Sequence, residues 1–291
     1  MKYYPCAKIN LGLNIVDVRS DGYHDIETVF YPIPLRDSLE VMPTADGTFG
    51  KIALSVTDCP ELAGNDNLVC RAYDAVGRYI DARASKSRPD GVKSATSVQL
   101  PSVDARLSKV IPTQAGLGGG SSDCASMINL LNSMFDLGLS VHERCGIAAG
   151  LGADCPFFID PKPMFAEGIG DELTDIDLDL TGWHIAIIKP PVAVSTRDAY
   201  ALTVPRRPAI NCRDVVAMPV DNWRVLLVND FEDSVFEQYP SLRDIKSALY
   251  ACGAVYASMS GSGSAIFGLF RDTPKMDDEA FNGCFTWTAR L

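Results

Sequence analysis

Apolar and polar residues alternate over residues 6–18. Ala7, Ile9, Leu11, Leu13 and Ile15 fall on one face, and Lys8, Asn10 and Asn14 fall on the other. A period of two predicts a strand. The run R-S-D-G at 19–22 is turn chemistry, and 23–31 resumes as a second strand. Shorter strands are expected over 39–42 and 50–56. From 67 to 80 the period changes: Leu68, Val69, Ala72, Ala75, Val76 and Tyr79 recur at helical spacing. Residues 81–97 are rich in Ser, Arg, Lys and Asp, with a P-D-G turn at 89–91, and read as an exposed, mobile loop. Val103, Ala105, Leu107 and Ile111 recur at even spacing, as along a strand, and Ala125, Met127, Ile128, Leu131, Met134 and Phe135 then mark a helix stopped by Gly138. Ser140 and Glu143 match a capping box opening a further helix to about Leu151.

The second half mixes the two periods. Residues 183–189 form a strand closed by Pro190 and Pro191, and Ser195 and Thr196 cap a short helix holding Tyr200. The apolar run 223–228 reads as a strand or a helix start. Residues 241–252 are amphipathic and end at Gly253. Strands over 255–259 and 265–270 flank a glycine hairpin at 260–264. The acidic stretch 171–179 alternates with Ile176, Leu178 and Leu180 and reads as a solvated edge strand. No regular βαβ repetition runs through this order, so the fold class is α+β. A shift in composition after Pro161 divides the chain into 1–161 and 162–291.

Length and charge narrow the field. The 291 residues suffice for a sizeable core. Charged residues make up 22%, which is globular rather than disordered composition. A formal charge of −11 argues against a nucleic-acid or membrane-surface partner, since both want a basic face. Nine cysteines occur without C-x-x-C spacing, so zinc and redox dithiols are not expected, and such usage fits a reducing cytoplasm. Lys8, Asn10 and Asn14 interrupt any leader-like apolar run, and no apolar stretch reaches bilayer length.

One stretch stands out chemically: P-T-Q-A-G-L-G-G-G-S-S-D at 112–123. Gly116, Gly118, Gly119 and Gly120 cost backbone entropy, so a close approach or a positive φ requires them. Ser121, Ser122 and Asp123 read as N-cap residues of the following helix. A glycine loop between a strand and a helix N-terminus is an anion cradle, and a nucleotide phosphate tail is the expected anion. The loop is neither a Walker A sequence, lacking its lysine, nor a G-x-G-x-x-G fingerprint. Taken alone, it also reads as a turn that only packs a helix closely. Asp154 lies on a glycine- and proline-bounded corner, L-G-A-D-C-P-F-F at 151–158, where Pro156 is expected to keep Cys155 out of helical geometry. A carboxylate there is a cap or a partly desolvated base.

Three separated pieces line up in order: A-K-I-N-L at 7–11 with D-G-Y-H at 21–24, the loop at 112–123, and S-M-S-G-S-G-S-A at 258–265. This arrangement resembles the GHMP small-molecule kinase superfamily over about residues 5–270. The extended forms D-G-Y-H, A-G-L-G-G-G-S-S-D and L-G-A-D-C-P-F-F resemble a branch acting on a cytidine-diphosphate sugar alcohol in isoprenoid precursor synthesis. The resemblance implies an N-terminal domain like ribosomal protein S5 domain 2, a C-terminal ferredoxin-like domain, and an active site in the cleft between them. It implies ATP and Mg2+, without identifying the metal's ligands, and leaves monomer and homodimer both open. Carried across residue by residue, it makes Asp154 the general base and Lys8 its charged partner. The backbone of Pro112, Thr113, Gln114, Ala115, Gly116, Leu117, Gly118, Gly119, Gly120, Ser121 and Ser122 would hold the triphosphate. Tyr23, His24 and Tyr200 would grip the cytosine ring, and Asn10 and Thr196 would contact the substrate. Gly261 and Gly263 would close over it.

Overall fold

The computed structural model describes residues 1–57, 59–86 and 99–291. In chain order the strands and helices are β1 (Lys2–Tyr3), β2 (Cys6–Val18), β3 (His24–Arg36), β4 (Ser38–Pro43), β5 (Ile52–Thr57), α1 (Leu68–Lys86), β6 (Val103–Ser108), α2 (Gly119–Met134), α3 (Val141–Ala149), β7 (Met164–Glu167), β8 (Glu172–Asp175) and β9 (His184–Lys189). They continue with α4 (Thr196–Ala201), α5 (Cys212–Val216), α6 (Trp223–Leu226), α7 (Phe231–Gln238), α8 (Pro240–Ala251), β10 (Tyr256–Met259), β11 (Ile266–Phe270) and β12 (Phe285–Arg290). The fold is mixed α and β, and it divides into two compact units.

The first unit comprises Met1–Cys6, Arg36–Ile111 and Gly119–Pro161. Its sheet has the order β1-β4-β6-β5, with β4 antiparallel and β5 parallel to β6. Along β6, Val103, Ala105 and Leu107 are buried while Asp104 and Arg106 are exposed, as the period of two requires. Helices α1, α2 and α3 pack on one another and bury Val69, Ala72, Val76, Ala125, Ile128 and Leu131. The capping box opens α3: Ser140 Oγ accepts from the Glu143 amide at 3.2 Å, and Glu143 Oε2 accepts from the Ser140 amide at 2.8 Å. The Tyr79 hydroxyl donates to Glu143 Oε1 at 2.8 Å, which ties α3 to α1.

The second unit comprises Ala7–Leu35, Pro112–Gly118 and Lys162–Leu291. It holds two sheets, β2-β3-β7-β8 and β10-β11-β9-β12. In the latter, β9 is antiparallel to both β11 and β12. The continuous run Ile185, Ala186, Ile187 and Ile188 is fully buried, as a strand covered on both faces must be. Ala186 and Ile188 share a core with Leu242, Ile245 and Leu249 of α8 and with Met259 and Ile266. The acidic β8 lies at a sheet edge, as its charge suggested.

Two expectations are corrected. Helix α1 runs through Lys86, because the helix-forming residues 81–84 prolong it, and Arg83 reaches Glu143 at 3.6 Å. The remainder of the expected loop, 87–97, lies outside the described residues. On the polar face of β2, Lys8, Asn10 and Asn14 are all buried. Of the two readings of 223–228, the helix start is the one observed: residues 223–226 are a one-turn helix. Helix α2 begins at Gly119, so Ser121, Ser122 and Asp123 lie within it rather than capping it. Strand β12 and helix α7 escaped notice. F-T-W-T-A-R alternates at the strand period and pairs with β9.

The bond from the Ser140 amide, helped by the Tyr79 and Ser140 hydroxyls, holds the Glu143 carboxyl down to about 2. The folded state therefore binds fewer protons than the unfolded one between the ordinary value of 4.5 and about 2. The contribution is complete above that window and is lost as pH falls through it. Urea denaturation at a series of acidic pH values should give Glu143→Gln a shallower loss of stability than the parent. Equal slopes would show that this carboxylate carries no linkage.

Candidate active site

Lys8 and Asn10 project from the same side of β2, two residues apart. They are 3% and 2% exposed. A buried ammonium is costly unless it is bonded. Lys8 Nζ donates to Asn10 Oδ1 at 2.5 Å and stands 4.9 Å from the centroid of the Phe30 ring, a cation–π distance. Asn10 Nδ2 donates to Thr28 Oγ1 at 3.0 Å, which leaves its oxygen turned toward the lysine.

Carbonyl oxygens hold the loop Pro112–Gly118. The Lys8 amide donates to Leu117 O at 3.0 Å, and the Ala265 amide donates to Ala115 O at 3.1 Å. Ser260 Oγ donates to Gly116 O at 2.9 Å. In a trans peptide the C=O of one residue and the N–H of the next point in opposite directions. Three consecutive carbonyls turned toward β2 and the 260–264 hairpin therefore turn the amides of Gly116, Leu117 and Gly118 away from them. Gln114, Gly116 and Gly118 take φ values of 50°, 73° and 69°, left-handed at every second position. Such a backbone forms a concave nest of N–H groups suited to an anion. Gly116 has no substitute: a Cβ there would lie 1.9 Å from Ser260 O.

From Gly118 the chain turns directly into α2. A Cβ on Gly119 would stand 2.9 Å from Ile111 Cγ2, so the first helical residue is glycine because of packing. Gly119, Gly120 and Ser121 sit in the first turn, whose amides have no intrahelical carbonyl partner: those four residues back, of Ala115, Gly116 and Leu117, are engaged elsewhere. The helix dipole favours an anion at the same end. Ser122 is buried.

Asp154 is half-buried on the corner after α3. Its neighbour Cys155 is fully buried and takes helical angles, φ −63° and ψ −39°, against the expectation from Pro156. The Cys155 amide donates a hydrogen bond to Gly152 O at 3.1 Å, which works against that steric preference. Bonds from the Cys124 thiol and the Ser121 hydroxyl lower the Cys155 pKa, so the corner is tied to the first turns of α2. The 3-10 turn Pro156–Ile159 has Cys155, not Asp154, at its N-cap.

In the second unit, the hairpin between β10 and β11 has Gly261 and Gly263 at φ 56° and 92°. Asn229 Nδ2 donates to Met259 O and Gly261 O, both at 2.8 Å. The Asn10 amide donates to Ser260 Oγ at 3.2 Å, so β2, the glycine loop and the hairpin share one network. Thr196 Oγ1 lies 2.9 Å from Ser262 Oγ. His24 and Tyr200 stack with centroids 4.8 Å apart, and Tyr200 meets Phe231 edge-on at 4.8 Å. Tyr23, next to this pair in sequence, is 62% exposed. Sequence reasoning passed over Ser260, Thr28 and Asn229. Ser260 at least stood inside a conspicuous serine–glycine run, whereas nothing local marked the other two. Among the described residues there is no cluster of three metal-ligating side chains, and no helix is long and apolar enough to cross a membrane.

Gly116→Ala meets both a clash and a left-handed φ, so it should lose well over the ~1–2 kcal/mol of the backbone penalty alone. Gly22→Ala, at φ 87° with nothing within 4 Å, should lose only that penalty. Comparable losses in urea denaturation would show that the approach to Ser260 is not tight.

The chain matches the description "GHMP kinases N terminal domain" over residues 67–160 and "GHMP kinases C terminal" over 220–281. It is 42% identical over 289 residues to 4-diphosphocytidyl-2-C-methyl-D-erythritol kinase of Parabacteroides distasonis, covering 99% of this chain and 98% of that one. It is 45% identical over 291 residues to the protein of the same name from Porphyromonas gingivalis, again covering 99% and 98%. A crystal structure of 4-(cytidine 5'-diphospho)-2C-methyl-D-erythritol kinase superposes with a TM-score of 0.73 at 30% identity, covering 92% of this chain and 90% of that one. Mevalonate kinase of Methanococcus jannaschii shares the fold, with a TM-score of 0.66 at 12% identity over 100% of this chain and 98% of that one.

Proposed function

The chain belongs to the GHMP kinase family and is a small-molecule kinase, and from that premise we propose its reaction. It phosphorylates the 2-hydroxyl of 4-diphosphocytidyl-2-C-methyl-D-erythritol with ATP, giving the 2-phosphate and ADP, in the non-mevalonate route to isoprenoid precursors. The observation that carries the nucleotide half is the carbonyl-anchored loop, whose amides are free to turn toward an anion. The stacked His24 and Tyr200 support the acceptor half: an aromatic face and a ring nitrogen suit a cytosine, with stacking worth about 1–3 kcal/mol.

In this reading the amides of Gly116 to Ser121 hold the triphosphate. Asp154 takes the proton of the acceptor hydroxyl, and the Lys8 ammonium steadies charge on the transferring phosphoryl. Asn10 orients Lys8 through its side-chain oxygen. Tyr23, Thr196, Gly261 and Gly263 contact the cytidyl substrate. Mg2+ supplies charge neutralisation when bound. We assign 1–161 to an N-terminal domain like ribosomal protein S5 domain 2 and 162–291 to a ferredoxin-like C-terminal domain. The two family matches on either side of residue 161 support that division. A cytoplasmic location goes with the reading, since all nine cysteines are free thiols.

A coupled ADP-release assay with the cytidyl alcohol, homoserine and mevalonate offered separately should register turnover of the first. Turnover of homoserine alone would defeat the assignment. Asp154→Asn should leave ATP binding nearly intact and lower kcat at least ~10²-fold. Unchanged turnover would remove Asp154 from the chemistry.

A further inference from the structure

Three ionisable side chains of the first unit form a buried cluster with no part in the chemistry above. Asp37, between β3 and β4, is 1% exposed, and Asp123, in α2, is 2% exposed. Between them lies Lys109, just beyond β6, with its side chain 7% exposed. Lys109 Nζ donates to Asp37 Oδ2, and to Asp123 Oδ2 at 2.8 Å. Asp37 Oδ1 accepts from the amides of Val110 at 2.6 Å and Ile111 at 2.8 Å. The Asp37 amide in turn donates to Pro5 O at 2.9 Å. Burial works against the Lys109 ammonium, but Asp123 and Asp37 outweigh it and hold its pKa above the ordinary value.

A buried cluster of this kind is weak evidence for stability, because desolvation offsets most of the Coulomb gain. What it does supply is direction. Asp37 grips the main chain at Ile111, the last residue before the loop. Lys109 grips Asp123, one turn into the helix that begins at Gly119. A Cβ on Gly119 would lie 3.3 Å from Lys109 Nζ, so the ammonium sits against the start of the helix. Residues 112–118 are therefore closed between two stems joined by a single lysine.

We infer that Asp37, Lys109 and Asp123 are positioning residues: a clasp that holds Ile111 and Gly119 at the spacing at which the loop and the first turn of α2 receive the nucleotide's phosphates. The inference rests on the kinase reading above. With its stems fixed, the loop has fewer conformations to lose when an anion arrives. Freed stems would weaken ATP binding in the ground state and the transition state alike, which is the pattern of a raised KM with little change in kcat.

The test is steady-state kinetics on the full chain with the cytidyl alcohol and ATP, well below each variant's unfolding temperature. Lys109→Met removes the ammonium at similar volume. Asp37→Asn keeps an acceptor for the two amides but turns an amide group toward the ammonium. Both should raise the KM for ATP at least ~10-fold, with kcat within about threefold and the KM for the cytidyl alcohol unchanged. If Lys109→Met fails to fold, Asp37→Asn decides alone. Folded variants with an ATP KM within about twofold of the parent would overturn the clasp. So would equal losses in both substrates' KM and in kcat, the mark of general loosening. If the parent itself shows no ATP-dependent turnover, the kinase reading fails and takes the clasp with it. Failure confined to the variants removes the clasp alone.

Discussion

Most of the site depends on how one short loop is hung. Residues 112–118 are fastened by their carbonyl oxygens, to the Lys8 amide, the Ser260 hydroxyl and the Ala265 amide. Because a peptide's two polar groups oppose each other, fastening by oxygens commits the N–H groups to the other side. A loop fastened by its amides would present oxygens and repel a phosphate. The glycines follow from this. Gly116 must pass against Ser260 O, and left-handed φ at alternate positions gathers the N–H groups into one concavity.

The same anchoring explains why β2 is buried on both sides. Its apolar residues Ile9, Leu11 and Ile15 are fully buried, and its polar residues are engaged. Lys8 and Asn10 bond each other, and Thr28 secures Asn10 from the neighbouring strand and donates to Gly12 O. Asn14 Oδ1 accepts from the Cys212 thiol at 2.9 Å. Every one of these groups would be costly if left unpaired. Their pairing converts a period-two pattern that looks half-solvated into a strand with a polar interior, where a lysine is held in one orientation. The hairpin contributes in the same currency: Asn229 holds its first turn by two carbonyls, and Ser260 spends its hydroxyl on the loop.

Much of this was legible in the chain. The alternation of 103–107, the capping box at Ser140 and Glu143, the serine cap before Tyr200 and the strong glycine signals all depend on neighbours within a few residues, and all appear as read. Misreadings arose where distant groups decided the matter. The helix after the glycine loop already includes Gly119, where Ile111 leaves no room for a side chain, and Ser121 and Ser122 could not show that. Cys155 takes helical angles before a proline, its amide and thiol both bonded. Strand β12, by contrast, was legible in the alternation of Phe285, Trp287 and Ala289 and was passed over.

By itself, the sequence determined the local alphabet: which stretches alternate, where caps and glycines punctuate them, and which three motifs recur in kinase order. Those properties follow from short-range sterics and hydrogen bonding, which a linear string records. The tertiary structure alone decided that Lys8 is interior, that Ser260 meets Gly116 across 144 residues, and that Asp37 and Asp123 share one lysine. These facts depend on which groups lose water together. No periodicity encodes that, because burial and pairing belong to the folded chain's surfaces rather than to its order.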